Sequence, residues 1–241
     1  MQIQVIASSS QGNCYVLTSG ETTLLLECGV GFKTIKKALN FDLSKINGCL
    51  VTHEHEDHAK AIMDVLKAGI DVYTGYLTLG TMFHHRLHNI KARNHFTIGN
   101  LYIMPFDVVH DAREPLGFLI FDKKTREKLL FVTDTSSVKY EFRGLNYIMI
   151  ECNYDLKSLQ NNQDISENLK SRIISYHFGL DELKRFLAKV DNKDLTNIVL
   201  IHLSSKNADP ELIQREIFEL TKVDTVIAEA GQTIELEKYP F

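Results

Sequence analysis

THEHEDHAK, residues 52–60, places three histidines and an aspartate within the six positions from His53 to His58, with two glutamates between them. The residues before it, NGCLVT (47–52), read as a buried strand, and those after it, AKAIMDVLKAG (59–69), carry apolar residues at helical spacing closed by Gly69. The cluster therefore falls at a strand-to-helix turn. Alternate residues of an extended chain leave on the same side, so His53 and His55 share a face while Asp57 and His58 turn the chain. Neutral imidazole and carboxylate are the ligands that zinc and similar divalent ions take, and catalytic sites keep one position open for water. A solvated loop that happens to be rich in histidine is the competing reading. For HxHxDH at a strand end, the metal reading prevails.

Working outward, IQVIA (3–7), CYVLT (14–18) and TTLLLEC (22–28) form a meander of strands with the turns SSSQGN and SGE between them. After Gly29 and Gly31, FKTIKKALN has the spacing of a helix. The second half repeats the layout. Strands are expected near 101–105, 117–121, 129–133, 145–151, 196–202, 224–228 and 233–237, with helices over 180–190 and 210–220. Meanders mixed with strand-helix alternation, twice over, predict an α/β architecture of two mixed sheets packed together with helices outside. No linker interrupts it, so one domain over 1–241 is expected.

With 44% hydrophobic and 24% charged residues, the composition excludes disordered, collagen-like and coiled-coil classes. No window approaches the roughly 20 apolar residues a membrane helix needs, and MQIQVIASSS is not a leader, so a cytoplasmic protein without membrane partners is expected. The four cysteines form no CxxC pair, which argues for buried free thiols over a disulfide framework. The net charge is −4, and the best basic cluster is HHRLHNIKARNH (84–95), which leans against a long nucleic-acid substrate.

HEHEDH resembles the signature of the metallo-β-lactamase superfamily, whose fold is an αββα sandwich. Three further ligands of that family have counterparts in chain order: His110 in VVHDAREPLGF, Asp134 in LLFVTDTSS and His202 in IVLIHLSS. The resemblance implies that His53, His55 and His110 hold one divalent ion, that Asp57, His58 and His202 hold a second, and that Asp134 bridges them. Zinc is the first choice. Manganese and iron suit the same nitrogen and oxygen donors.

Glu151 in MIECNY and His177 in SYHFGLDEL look like the proton-donating pair of the tRNA-processing RNase Z enzymes. VIASSSQGNCYVL, VTDT, IECNYD and HLSSKN resemble more closely the YycJ-type branch, associated with nuclease activity, whose phage relatives include anti-Pycsar enzymes that destroy cyclic-nucleotide signals. These likenesses imply a phosphodiesterase in which two ions activate water, Asp57 orients it or takes its proton, and His177, supported by Glu151, protonates the departing oxygen. A 3′,5′-cyclic mononucleotide is the expected substrate, with exonucleolytic cutting of DNA or RNA next and a lactone or thioester third. The family also implies a homodimer.

Ser9, Ser10 and Asn13 are candidates for lining the site, since a serine-rich turn with exposed amides suits an anion. His85 and Arg86 are candidates for holding a phosphate or base. His84 and His88, four apart, would share one face of a helix, so a third metal position is conceivable there, although a plain polar face is the commoner outcome.

Overall fold

A computed structural model describes residues 1–80 and 82–237. One seven-stranded sheet is ordered β14-β1-β2-β3-β4-β5-β6: β1 (Gln2–Ser9), β2 (Gly12–Ser19), β3 (Thr22–Leu26), β4 (Ile46–Leu50), β5 (Val72–Gly75), β6 (Leu87–Ile90) and β14 (Thr233–Glu235). The other is ordered β13-β12-β11-β10-β9-β8-β7: β7 (Phe96–Ile98), β8 (Leu101–Asp107), β9 (Leu116–Asp122), β10 (Lys128–Val132), β11 (Tyr147–Glu151), β12 (Asn197–Ile201) and β13 (Asp224–Ile227). Each sheet has three antiparallel pairings followed by three parallel ones. The expected sandwich of two mixed sheets is present, and the repeated layout is a repeated topology.

Strand alternation explains why both sheets are apolar on two faces. Tyr15 and Leu17 of β2 point between the sheets, where they meet Phe118, Phe131 and Met149. Their neighbours Cys14 and Val16 point outward onto Ile35 of α1 (Phe32–Ala38) and Val65 of α3 (Ile62–Lys67). In the other sheet Ile148 and Ile150 face α6 (Leu180–Leu187) and α7 (Pro210–Thr221). Leu180, Leu183 and Leu187 of α6 are buried there, each contributing roughly 1.5–3 kcal/mol. All four cysteines are buried free thiols. Among the described residues no helix is long and apolar enough to cross a membrane.

Parallel pairing makes the C-terminal ends of β3 and β4, and those of β10, β11 and β12, share one edge of the sandwich. That edge carries the histidine cluster.

Three expectations need correction. The helix expected over 59–69 is two short pieces, α2 (Glu56–Ala59) and α3, because the Ala61 amide donates to the Cys28 carbonyl (2.9 Å) instead of continuing the helical ladder. His88 lies in β6, not on a helix, with its ring stacked on Tyr73 (4.5 Å) and a nitrogen 3.1 Å from Asp71. His84 lies outside any helix and stacks on His85, so the two do not form a shared face for a third ion. Thr81, in the same segment, lies outside the described residues. Finally, α4 (Leu156–Asn161) and α5 (Glu167–Tyr176) were not anticipated, and α5 has no fully buried residue to betray it.

Candidate metal centre

His53, His55 and His110 gather around one side of Asp134. His110 Nε2 lies 3.1 Å from His55 Nδ1 and 3.6 Å from Asp134 Oδ2, and His53 Nε2 is 3.9 Å from that same oxygen. On the other side, Asp134 Oδ1 is 3.2 Å from His58 Nε2 and 2.8 Å from His202 Nδ1. Asp57 Oδ2 closes this second group at 3.2 Å from His58 Nε2 and 3.5 Å from His202 Nε2. The two oxygens of Asp134 thus face the two groups, so that one carboxylate belongs to both. The seven residues expected as ligands all converge, in two sets whose donor atoms lie within 4.8 Å of one another.

Backbone strain helps aim them. Asp134 and His202, just beyond β10 and β12, take φ of 42° and 55°, a left-handed region costly for residues with a Cβ. Glu27, just beyond β3, does the same at 64°. Each bend turns a side chain back over the strand ends instead of along them.

Contacts to the remaining nitrogens fix the rings, hydrogen bonds at His110 and His53 and a carboxylate at His58. His110 Nδ1 donates to the Tyr176 carbonyl (3.0 Å), leaving Nε2 for the centre. His53 Nδ1 shares a hydrogen bond with Thr52 Oγ1 (2.8 Å). His58 Nδ1 faces Glu27, fully buried 3.7 Å away. Glu27 also accepts from the Thr52 amide (3.2 Å) and went unrecognised in the sequence. The glycine at 29 is equally specific, since a Cβ there would fall 1.6 Å from the Asp57 carbonyl oxygen.

The donor set fits divalent ions. His53 Nε2 and His202 Nε2 are buried without a hydrogen-bond partner, a state that costs about 1–3 kcal/mol for each such group. Burial disfavours charge on Asp134, but His202 and His58 outweigh it and hold the carboxyl well below its usual range. The same pairing, against burial, raises both imidazoles well above theirs. Protons on His58 and His202 thus supply the positive charge that the carboxylates of Asp134, Asp57, Glu27 and Glu151 demand. Divalent ions supply the same charge and also satisfy the stranded nitrogens.

Glu151, at the end of β11, is fully buried and receives His177 Nδ1 at 2.6 Å and His202 Nδ1 at 3.0 Å. Its other oxygen accepts the Thr135 amide (3.0 Å) and the Phe178 amide (3.3 Å). His177 closes the C-terminal end of α5, and its Nδ1 lies 3.9 Å from Asp134 Oδ2. Burial opposes charge on His177, and Glu151 overcomes it, so the imidazole keeps its proton to higher pH than usual.

The remaining candidates scatter. Asn13 is buried beneath the second group, with Nδ2 3.4 Å from the Asp57 carbonyl and 3.3 Å from His58 Nε2, a bracing position. Ser9 and Ser10 close the β1-β2 hairpin, where Ser9 Oγ accepts the Gln11 amide (3.2 Å). Ser8 is the serine at the site, accepting the His202 amide at 3.1 Å. His85 and Arg86 precede Leu87, which is level with Cys49, so both lie beyond roughly 13 Å down the strand direction from His53, and Arg86 pairs with Asp71 (3.4 Å). Neither is brought to the centre.

Comparison with known proteins identifies the family and the fold. The metallo-beta-lactamase superfamily model matches residues 8–147. The exodeoxyribonuclease YycJ of Bacillus anthracis is 30% identical over 91% of this chain and 89% of its own length. The exodeoxyribonuclease WalJ of Streptococcus pneumoniae is 27% identical over 86% and 83%. Among solved structures, the metallo-beta-lactamase fold protein YhfI from Bacillus subtilis superposes with a TM-score of 0.75 at 16% identity, covering 97% of this chain and 99% of that one. The short form of human tRNase Z gives 0.71 at 16%, covering 98% and 100%. The chain belongs to the metallo-beta-lactamase superfamily, and it is a metal-dependent hydrolase of that fold.

Proposed function

We propose that the protein hydrolyses phosphodiester bonds of nucleic acid, removing nucleotides from DNA ends. The observation that carries this is the pair His177–Glu151, joined at 2.6 Å and standing beside the bridging Asp134. A departing sugar oxygen is a poor leaving group, and a positioned general acid there is worth typically about 10²–10⁴ in rate. Glu151 keeps His177 protonated, orients its ring through Nδ1 and leaves Nε2 to deliver the proton. Likeness to exodeoxyribonucleases along most of the chain supports DNA as the substrate.

His53, His55 and His110 would hold one ion, Asp57, His58 and His202 the second, with Asp134 between them. Bound there, a pair of divalent ions, zinc by first preference, supplies Lewis-acid charge and an activated water. Asp57 stays ionised because the imidazoles of His202 and His58 beside it outweigh its burial, so it can orient that water or take its proton.

A 3′,5′-cyclic mononucleotide is the second reading. It is favoured by a rim whose arginines are already neutralised, Arg172 by Asp111 (2.7 Å) and Arg113 by Glu54 (3.9 Å).

The test incubates metal-loaded protein with end-labelled single- and double-stranded DNA, cyclic mononucleotides and a lactone. Shortened DNA is expected, and His177→Ala should lower kcat by about 10²–10⁴ with metal content unchanged. Consumption of the lactone alone, or an undiminished rate for His177→Ala, would overturn the phosphodiesterase reading.

A further inference from the structure

A groove of about 310 Å³ runs between the segment that follows Asp134 and helix α6. Its two walls are rooted in the site. On one side lie Ser136 and Ser137, whose segment is pinned by the Thr135 amide on Glu151 (3.0 Å). On the other lies Phe178, the residue after His177, with its amide on the same carboxylate (3.3 Å). From there the groove passes along Phe142 and Phe186, both half-buried, to the exposed Lys139 and Lys189. The ring of Phe142 packs 5.0 Å from Phe106, and that of Phe186 packs 6.1 Å from Phe178, so both aromatics are held in place before any ligand arrives. The lining also carries Glu141 and the ion-paired Glu182 and Arg185, and among the described residues neither lysine has a carboxylate partner.

Aromatic platforms flanked by lysines, on segments that adjoin the ones carrying Asp134 and His177, have the chemistry of a single-strand track, in which bases stack and phosphates meet lysines. We propose that this groove binds single-stranded DNA on the His177 side of the centre, Phe142 and Phe186 stacking a base while Lys139 and Lys189 hold the backbone. The assignment rests on the phosphodiesterase reading for its direction and makes a strand, not a cyclic mononucleotide, the fitting substrate. With Arg185 paired to Glu182, Lys139 and Lys189 outweigh Glu141 and leave the lining net positive, the charge complement that selects DNA over a protein segment or a second copy of the chain.

The experiment titrates metal-loaded protein against a fluorescein-labelled phosphorothioate oligodeoxynucleotide over a range of salt. Replacing both groove lysines (Lys139→Ala with Lys189→Ala) should flatten the slope of log K against log salt by about 1.4, which is roughly 0.7 for each phosphate of a single strand that a lysine no longer neutralises. The same change at the far end of the molecule (Lys123→Ala with Lys124→Ala) should leave the slope as it was. Phe142→Leu, which keeps apolar bulk, should weaken binding at least about fivefold.

An unchanged slope in the groove variant, or equal flattening in the far-end control, overturns the track. So does concentration-dependent self-association that the groove variant abolishes, since that would give the face to a second copy. Phosphodiester cleavage by the wild-type protein, followed separately with bis(p-nitrophenyl) phosphate, tells failure of the track from failure of the phosphodiesterase reading.

Discussion

Both ends of the sandwich bury a cluster of polar side chains, yet among the described residues only one of these clusters leaves donor atoms stranded. At the far end, Asp122 of β9 accepts from Ser19 of β2, from Asn100 Nδ2 (2.7 Å) and from the amides of Lys124 (2.7 Å) and Thr125 (3.2 Å). Thr22 bonds Asn100 across the sheets and accepts its amide (3.1 Å), so every group in this clamp is matched within the protein. At the near end, His53 Nε2 and His202 Nε2 have no partner. Satisfied burial marks a structural joint, and unsatisfied burial of this size marks a place kept for a ligand. The contrast can be broken or sharpened by substitutions at either end.

The largest effect should come from Asp134→Ala. Both donor groups lose their shared carboxylate, so the number of ions held per chain should drop on metal analysis and hydrolysis should fall by at least about a thousandfold, the several kcal/mol a pair of metal ions supplies. Retained ion content would show that the two oxygens of Asp134 are not a bridge. Gly29→Ala should follow. Its Cβ would meet the peptide that carries Asp57 and His58, and a displacement near 1 Å of such groups costs about a hundredfold in turnover. Wild-type rates in that variant would mean the turn has freedom that its packing denies.

Glu27→Gln probes the layer behind the ligands. Groups that orient a ligating imidazole typically contribute about 10–100-fold to metal affinity, so competition with a chelator should show a loss in that range, restored in part by Glu27→Asp. If the glutamine variant holds metal as tightly as the wild type, Glu27 only fills space beneath His58.

The halves of the molecule also differ in how plainly their residues announce the site. The first sheet delivers His53, His55, Asp57 and His58 from one turn, so their proximity is written in adjacent letters. In the second sheet each strand end gives one residue, and Asp134, Glu151 and His202 become neighbours only through parallel pairing of β10, β11 and β12. They are legible as single polar residues ending apolar runs. Glu27 ends the run LLLE in the same manner, but its partner His58 lies 31 positions on and no local signature joins them. Helix α5 was illegible for another reason. It is placed by polar tethers, Arg172 to Asp111, the Tyr176 carbonyl to His110 and His177 to Glu151, so its apolar pattern carries no strong period. Arg86 misled because charge in sequence does not reveal that Asp71 has already claimed it.

The smallest effect on catalysis, and a clear one on stability, should come from Asp122→Ala. The substitution strands Ser19, Asn100 and two amides in a buried joint, which costs about 1–3 kcal/mol for each group left without water or a new partner. Thermal or urea unfolding should therefore shift while turnover of the folded, metal-loaded protein stays at the wild-type value. Acid should expose the same joint. Burial opposes charge on Asp122, but hydrogen bonds from Ser19, the Lys124 amide and Asn100 outweigh it and hold the carboxyl below its usual range. A carboxyl depressed in the folded state contributes stability that is complete above its unfolded value, near 3.9, and is lost as pH falls through the lower folded value. The wild type should thus lose its advantage over Asp122→Asn below about pH 4. A turnover loss in either variant at neutral pH would show that the two ends of the sandwich are coupled, and the division between a joint and a ligand site would fail.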